Sequence, residues 1–173
     1  MTDSLWKDQV ALVSGAGSDS GIGFAIARRL GREGVRVLLS ASSARIQQRV
    51  AELQSEGIDA RGMPADLTDE TQVAALSAWA HGQFGRIDIL VNNAGIAPIG
   101  TIESCDMDQW RRCMAVNADG VFLGCKTAVA LMKSGGGSII NLASIDGIIG
   151  EADLAAYCAS KGAVRTLTKA VAV

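Results

Sequence analysis

Near its N-terminus the chain places a short apolar run, a glycine-rich turn and a helical pattern in direct succession. Residues 9–14 predict a buried strand, and the apolar spacing within residues 22–30 predicts a helix. Glycines let the backbone approach a ligand closely, and a helix N-terminus presents unpaired N–H groups to an anion. The succession therefore predicts a binding site for the pyrophosphate of a dinucleotide. Its candidate residues are Gly15, Gly17, Ser20, Gly21, Ile22 and Gly23.

The rest of the chain continues the alternation of strands and helices. Strands are predicted near residues 9–14, 35–40, 58–63, 87–92 and 138–143. Helices are predicted near residues 21–33, 43–56, 69–84, 106–134 and 153–173, the fourth with an interruption near Gly120. This alternation predicts an α/β fold, a doubly wound parallel sheet with helices on both faces, in a single domain over residues 1–173. Right-handed crossovers then place the binding crevice between the first and fourth strands.

Polar residues follow two further strands at the edge of the sheet where ligands bind. Asn93, Ala94 and Gly95 come after the fourth strand and could line a ligand, although Asn and Gly also form ordinary turns. Ser144 ends the fifth strand. Because the one histidine, His81, is distant in sequence, a hydrogen bond from Ser144 to a substrate oxygen is a more economical role than nucleophilic attack. A serine at such a position is also commonly a helix cap.

Tyr157 and Lys161 are four residues apart in the last predicted helix. This spacing puts both side chains on one face, about 6 Å apart along the helix axis. A nearby ammonium favours the phenolate form of a tyrosine, which makes the phenol usable as a proton donor or acceptor near neutral pH. Taken alone, such a pair is most often two ordinary solvated neighbours on a helix.

Together these segments resemble the short-chain dehydrogenases/reductases, from about Trp6 to the last residue. The resemblance implies a Rossmann fold with the strand order 3-2-1-4-5, from which the last strands are missing. It also implies that Asp66 and Leu67 contact the adenine ring of the cofactor. The residues that match the family's catalytic tetrad are Asn117, Ser144, Tyr157 and Lys161. In relatives the lysine also touches the nicotinamide ribose, and the asparagine holds a water that links the lysine to solvent.

The resemblance implies an oxidoreductase that passes a hydride between NADP(H) or NAD(H) and a secondary alcohol or ketone. The segments around Phe122 and Ile148 look like those of 3-oxoacyl-carrier-protein reductases and of alicyclic alcohol or hydroxysteroid dehydrogenases. Family members continue through two more strands and a substrate lid, whereas this chain stops within the helix that carries Lys161. The alternative is a non-catalytic nucleotide-binding or subunit-interaction module, if the shortened chain is the functional one.

The end of the second predicted strand bears on the choice of cofactor. Enzymes that use NAD usually place a carboxylate there for the ribose 2′-hydroxyl, and this chain has none. Ser42, Ser43 and Arg45 occupy this place and could bind a 2′-phosphate, so NADP(H) is favoured over NAD(H). Asp19 in the glycine-rich turn argues the other way, because NADP-preferring relatives often carry a basic residue there.

The composition argues against several other classes of protein. The net charge is −2 without a basic cluster, so we expect no nucleic-acid partner. No uninterrupted apolar run approaches the roughly 18 residues of a membrane span, and residues 1–8 lack the apolar region of a signal peptide. Four cysteines without Cys-x-x-Cys spacing and a single histidine argue against a metal site and suit a cytoplasmic protein. The resemblance further implies a homo-oligomer, a dimer or tetramer, paired through helices 106–134 and 153–173.

Overall fold

The structure, a computed structural model, describes residues 6–133 and 135–173. Residues 1–8 are predicted to lack a signal peptide, and residues 1–5 of that segment lie outside these ranges. The last residue of the predicted helix 106–134 also lies outside them.

Five parallel strands form one sheet in the order β3-β2-β1-β4-β5, which confirms the predicted doubly wound topology. The strands are β1 (Val10–Val13), β2 (Arg36–Ala41), β3 (Ala60–Pro64), β4 (Ile89–Asn92) and β5 (Ser138–Asn141). β1 pairs with β2 on one side and with β4 on the other. The strand order therefore reverses between β1 and β4, and a crevice opens there beyond the carboxyl ends of the strands.

Helices follow the strands in sequence. Within the described residues they are α1 (Ile22–Arg32), α2 (Ile46–Ser55), α3 (Glu70–Phe84), α4 (Met107–Met114), α5 (Gly120–Met132) and α6 (Ala155–Val171). A π-helical turn over Ala115–Asp119 joins α4 to α5, which confirms the predicted interruption near Gly120. A short 3-10 turn, Ile145–Gly147, precedes α6.

Helix α2 begins three residues later than predicted. The sequence pattern predicted a helix over 43–56, whereas the first helical residue is Ile46. Arg45 stands at the N-cap without a capping side chain, and the N–H of Ile46 donates to the carbonyl of Ser43 at 3.3 Å. Residues 42–45 therefore form a turn at the carboxyl end of β2, and no serine hydroxyl caps the helix.

Successive residues of β1 are buried against different helices. Val13 belongs to the buried cluster that includes Phe24 of α1 and Leu53 of α2. Its neighbour Leu12 belongs to the cluster that includes Leu76 of α3. Because successive side chains of a strand point to opposite faces of the sheet, a strand covered on both faces needs an uninterrupted apolar run. The sequence Val-Ala-Leu-Val of β1 meets this requirement.

Local capping fixes the positions of α3 and α4. The Asp69 carboxylate accepts a hydrogen bond from the N–H of Thr71 at 2.8 Å, and the Asp106 carboxylate accepts one from the N–H of Gln109 at 2.8 Å. Both aspartates satisfy N–H groups that the first turn of a helix leaves unpaired. Gly85, with φ at 71°, ends α3 in the left-handed conformation that favours glycine.

Within the described residues, the helical stretch Met107–Met132 has the length and composition to cross a membrane. It comprises α4, the π-helical turn and α5, and 28% of its most apolar window is buried. Five charged residues interrupt its apolar sequence, namely Asp108, Arg111, Arg112, Asp119 and Lys126. Val121 and Cys125 are buried in a cluster with Val164 of α6. The stretch therefore has one face packed on the rest of the protein and another face exposed.

Two helical glycines provide a test of the packing. Gly82 in α3 has open space where a Cβ would lie, whereas a Cβ on Gly31 in α1 would collide with the buried side chain of Ile58. Alanine favours a helix over glycine by about 1 kcal/mol. We therefore expect Gly82→Ala to raise the free energy of unfolding by about 0.5–1 kcal/mol. Gly31→Ala should lower it, because Ile58 must move. Urea denaturation of both variants decides this, and a Gly31→Ala protein as stable as Gly82→Ala would contradict the packing described.

Candidate active site

Two loops interlock at the carboxyl edge of the sheet. The side-chain amide of Asn93, just after β4, donates to the carbonyls of Ser14 at 2.9 Å and Gly15 at 3.1 Å, just after β1. In return, the Ser14 hydroxyl accepts from the N–H groups of Asn93 at 3.1 Å and Ala94 at 3.3 Å. Buried main-chain groups that cannot continue the sheet need such partners. The loops on either side of the crevice are thereby held at a fixed separation.

This interlock requires glycine at Gly15 and Gly23, on either side of the glycine-rich turn. Gly15 has φ at 67°, and a Cβ there would lie 2.6 Å from the Cα of Ala94. A Cβ on Gly23, inside the first turn of α1, would lie 2.9 Å from the carbonyl oxygen of Gly15 and would also collide with Asn93. Gly21 is the N-cap of α1, in an extended conformation. The glycines therefore let the N-terminus of α1 come against the turn after β1, which is the geometry of a phosphate-binding helix terminus.

A cleft of about 670 Å³ opens above this interlock. The predicted site residues that line it are Gly15, Gly17, Ile22, Ser42, Asp66, Leu67, Asn93, Ala94, Gly95, Tyr157 and Lys161. The cleft thus brings the glycine-rich turn and the Tyr–Lys pair together, although they are about 140 residues apart in sequence. Among the predicted residues outside its lining are Ser20, Gly21, Gly23, Asn117 and Ser144.

The sequence analysis missed some of the residues that line the cleft. Ser18 lines it, whereas Ser20 points its exposed hydroxyl towards Ser18 at 3.4 Å. Arg112 and Val116, one helical turn apart on α4 and the π-helical turn, also line it. Arg112 and Val116 are four residues apart within the predicted helix 106–134, and this spacing indicates that they lie on the same face.

Asp66 is held in place at the end of β3. One oxygen of its carboxylate accepts from the N–H of Thr68 at 2.9 Å and from the hydroxyl of Thr68 at 2.7 Å. Its own N–H donates to the side chain of Gln72 at 3.0 Å. These contacts hold the Asp66–Leu67 segment in the lining of the cleft.

Tyr157 and Lys161 lie on the face of α6 that borders the cleft. The Lys161 ammonium is 5.7 Å from the centroid of the Tyr157 ring and donates to the carbonyl of Leu142 at 2.6 Å. Lys161 is only 5% exposed. Burial lowers the pKa of Lys161 from its ordinary value of 10.5, opposed by a smaller effect of the Cys113 thiol. The ammonium is therefore a buried cation fixed beside the phenol.

Asn117 is completely buried and is used within the protein. Its carbonyl oxygen accepts from the N–H of Ile96 at 2.8 Å, and its amide donates to the carbonyl of Ile96 at 2.8 Å and to the hydroxyl of Ser160 at 2.9 Å. The Ser160 hydroxyl in turn donates to the carbonyl of Tyr157 at 2.7 Å. Asn117 therefore ties the loop after β4 to α6. Ser160, which the sequence analysis did not single out, is part of this connection.

Ser144 caps the 3-10 turn. Its hydroxyl donates to the carboxylate of Asp146 at 3.1 Å and accepts from the N–H of Asp146 at 3.2 Å. This is the capping role that the sequence analysis considered beside the catalytic one. A hydrogen bond from Ser144 to a substrate oxygen requires the hydroxyl to rotate away from Asp146.

No group of three or more His, Cys, Asp or Glu side chains that could hold a metal ion occurs in residues 6–133 and 135–173. All four cysteines are free thiols. Burial raises the pKa of the Cys113 thiol, although Ser160 opposes this with a hydrogen bond.

The doubly wound sheet, with a glycine-rich turn where the strand order reverses, defines the Rossmann-type class of α/β proteins. The model of the short chain dehydrogenase family matches residues 9–173. The chain belongs to this family.

Three known proteins show how far the similarity extends. The chain is 39% identical to 2-(S)-hydroxypropyl-CoM dehydrogenase 3 of Xanthobacter autotrophicus over 96% of its own length and 65% of that protein's. It is 38% identical to an NADP-dependent (R)-specific alcohol dehydrogenase of Lentilactobacillus kefiri, over 100% of its own length and 68% of the relative's. A crystal structure of an actinorhodin polyketide ketoreductase variant with NADPH has a TM-score of 0.91 and 37% identity, covering 95% of this chain and 64% of that one.

The buried Lys161 predicts a pH dependence of stability. The pKa of Lys161 is lowered in the folded state. At pH values between this lowered pKa and 10.5, the unfolded chain therefore keeps a proton that the folded chain has lost in part. Stability conferred by this site should therefore rise as the pH rises through that window. Lys161→Met removes the titrating group at similar size. We expect the free energy of unfolding of the unmodified protein, measured relative to Lys161→Met, to increase between about pH 7 and about pH 10.

Lys169→Met is the matched control on the same helix, because its ammonium is exposed. It should leave the pH dependence unchanged. Urea denaturation at both pH values gives the comparison, and a difference between the unmodified protein and Lys161→Met that stays flat or shrinks with rising pH would contradict the burial of an ammonium at this site.

Proposed function

We propose that this protein is an oxidoreductase that transfers a hydride between a nicotinamide dinucleotide, preferably NADP(H), and a secondary alcohol or ketone. The observation that carries the proposal is that Tyr157 and Lys161 line the same cleft as the glycine-rich turn. The chain spans about 65% of the length of 2-(S)-hydroxypropyl-CoM dehydrogenase 3, so the proposal concerns the part that is present.

The residues of the cleft suit a dinucleotide. Gly15 and Gly23 leave the space that a Cβ would fill, and the N-terminus of α1 can receive the pyrophosphate. Asp66 and Leu67 line the wall where an adenine would lie, and Asn93 to Gly95 line the floor. When bound, the nicotinamide supplies or accepts the hydride.

The side chains of the chain itself handle the proton and the orientation. Tyr157 protonates the substrate oxygen in reduction and takes the proton back in oxidation. Lys161 is a fixed cation 5.7 Å from the centroid of the Tyr157 ring, and it would contact the ribose of a bound nicotinamide, as in relatives. Ser144 donates a hydrogen bond to the substrate oxygen after rotating away from Asp146. Because the Asn117 side chain is engaged with Ile96 and Ser160, its part is to hold α6 and the loop after β4 together.

Replacing the phenol tests this proposal. Tyr157→Phe keeps the ring but removes the proton donor, so ketone-dependent oxidation of NADPH should fall by about 100-fold or more. Cofactor binding, measured by fluorescence titration, should persist because the ring still lines the cleft. The measurement is the initial rate of loss of NADPH absorbance with a panel of alicyclic and aliphatic ketones.

The unmodified chain separates the two candidate functions. If the chain binds NADPH but oxidises it with none of the ketones, its function is that of a non-catalytic nucleotide-binding module and not that of an enzyme. If Tyr157→Phe is as active as the unmodified chain, the assignment of the proton donor is wrong.

The preference for NADP(H) rests on the turn after β2. Ser42, Ser43 and Arg45 line the cleft there, and the Arg45 guanidinium makes only a long hydrogen bond of 3.4 Å to the Ser43 hydroxyl. Asp19, the residue that argued for NAD, lies 3.8 Å from the guanidinium of Arg49 in α2. Arg49 also pairs with Glu52, so it offsets the negative charge of Asp19 in part, and Arg45 is the cation that we propose for a 2′-phosphate.

Removing this cation should change the choice of cofactor. A charge-assisted hydrogen bond contributes about 1.5–3 kcal/mol, so Arg45→Gln should weaken NADPH binding roughly 10- to 100-fold and leave NADH binding unchanged. Arg29→Gln is the control, because Arg29 is an exposed residue of α1 that pairs with Glu33 at 2.7 Å. Calorimetric titration of both cofactors is the measurement. Equal losses for NADPH and NADH, or the same loss in Arg29→Gln, would contradict the preference.

The remaining features concern partners and compartment. A small-molecule ketone or secondary alcohol is the proposed substrate, in keeping with relatives named as an alcohol dehydrogenase and a ketoreductase. Phe122 and Val129 of α5 are each about half exposed, which supports a homo-oligomer paired through this helix. The four free thiols suit the reducing cytoplasm.

A further inference from the structure

A chain of side-chain hydrogen bonds runs beneath α6, away from the cleft. The amide of Asn92, at the end of β4, donates to the carbonyl oxygen of the Asn141 side chain at 2.8 Å. The amide of Asn141, at the end of β5, donates to the hydroxyl of Thr168 in α6 at 3.0 Å. We call Asn92, Asn141 and Thr168 the amide ladder.

The donor and acceptor direction of the amide ladder is fixed at its Thr168 end. The Thr168 hydroxyl donates its proton to the carbonyl of Val164 at 2.7 Å, so towards Asn141 it can only accept. At the other end Asn92 is 5% exposed and lies against Gly124 of α5, where a Cβ would collide with its side chain. The ladder therefore connects β4, β5 and α6 across a space that only a glycine in α5 leaves open.

Among the described residues, the apolar cluster between α6 and α5 is small. It consists of Val121, Cys125 and Val164, with Ile139 and Leu167 partly buried at its edge. Small apolar side chains do not by themselves distinguish one helix placement from a slightly shifted one, because the hydrophobic effect is not directional. The Asn92 amide is buried and the Asn141 amide is half-buried, and both distinguish the placements, because an amide removed from water must find its partner.

The amide ladder and Lys161 are held by neighbouring residues of one strand end. Asn141 receives Thr168, and the next residue, Leu142, receives the Lys161 ammonium at its carbonyl oxygen at 2.6 Å. Thr168 and Lys161 are seven residues apart, which is two helical turns or about 10.5 Å on the same face. Two points of attachment at this separation fix both the rotation of α6 about its axis and its position along that axis.

We propose that Thr168, Asn141 and Asn92 are positioning residues that set the placement of Tyr157 and Lys161 in the cleft. The proposal rests on the proton-transfer role proposed above for Tyr157. A shift of the helix of about 1 Å moves a proton donor out of its working geometry and can reduce the rate by about 100-fold. The ladder acts through α6 and touches neither the cleft nor its ligands.

Three substitutions on one helix test this inference. Thr168→Val keeps the shape of the side chain but cannot accept from Asn141, whereas Thr168→Ser keeps the hydroxyl. Thr166→Val is the matched control, because the Thr166 hydroxyl makes the same kind of hydrogen bond within α6, to the carbonyl of Gly162 at 3.2 Å, on an exposed part of the helix. Thermal unfolding of all three variants establishes that each is folded.

Two readouts follow for each variant. Thr168→Val should lower the kcat of ketone reduction by roughly 10- to 100-fold, with a much smaller change in the KM for NADPH. It should also increase hydrogen–deuterium exchange in peptides that cover residues 155–163, about one and a half to three and a half helical turns from the substitution. Thr168→Ser should restore both quantities, and Thr166→Val should change neither.

The inference is overturned if exchange over residues 155–163 is the same in Thr168→Val as in the unmodified chain. It is also overturned if Thr168→Ser fails to rescue, or if Thr166→Val produces the same effect. Should the unmodified chain reduce no ketone, the proposed function fails, and the exchange measurement still decides whether the amide ladder positions α6.

Discussion

The hydrogen bonds between the Asn93 amide and the carbonyls of Ser14 and Gly15 are the constraint on which the cleft depends. They join the loops after β1 and β4 where the strand order reverses, and they satisfy carbonyls that lie beyond the paired part of β1. The close approach leaves no room for a Cβ on Gly15 or Gly23, so the N-terminus of α1 comes directly against the turn. The anion-binding geometry is thus a consequence of how the two loops satisfy each other.

The second half of the cleft depends on how α6 is attached. Burying the Lys161 ammonium costs free energy, which is the physical reason that its pKa is lowered. The carbonyl of Leu142 offsets part of that cost, and the connection from Asn117 to Ser160 holds the helix beside the loop after β4. Apolar packing brings α6 to the sheet, and these polar contacts select one placement of it.

Much of this architecture follows from local patterns. Apolar runs, glycine spacing and helical periodicity predicted the parallel sheet with helices on both faces, the interruption near Gly120 and the glycine-rich turn of the cleft. The strand order and the place of Asp66 and Leu67 came from the resemblance to the short-chain dehydrogenases/reductases. The directions of individual side chains did not follow from the sequence. Ser144 binds Asp146, only two residues further on, in the capping role that its position allowed. Asn117, by contrast, is engaged with Ile96, a distant segment that reaches it only in the folded chain. The late start of α2 reflects the local turn at residues 42–45, and Ser18 instead of Ser20 lines the cleft.

The proposed function requires one cleft that joins a dinucleotide site to the Tyr–Lys pair. This can be measured by titrating the isotope-labelled chain with NADPH and following the NMR shifts of its backbone amides. We expect saturable shifts concentrated in residues 14–23, 93–97 and 155–162, with further shifts at residues 42–45 and 66–68. Saturable shifts confined to another surface, or no shifts at millimolar NADPH, would contradict it.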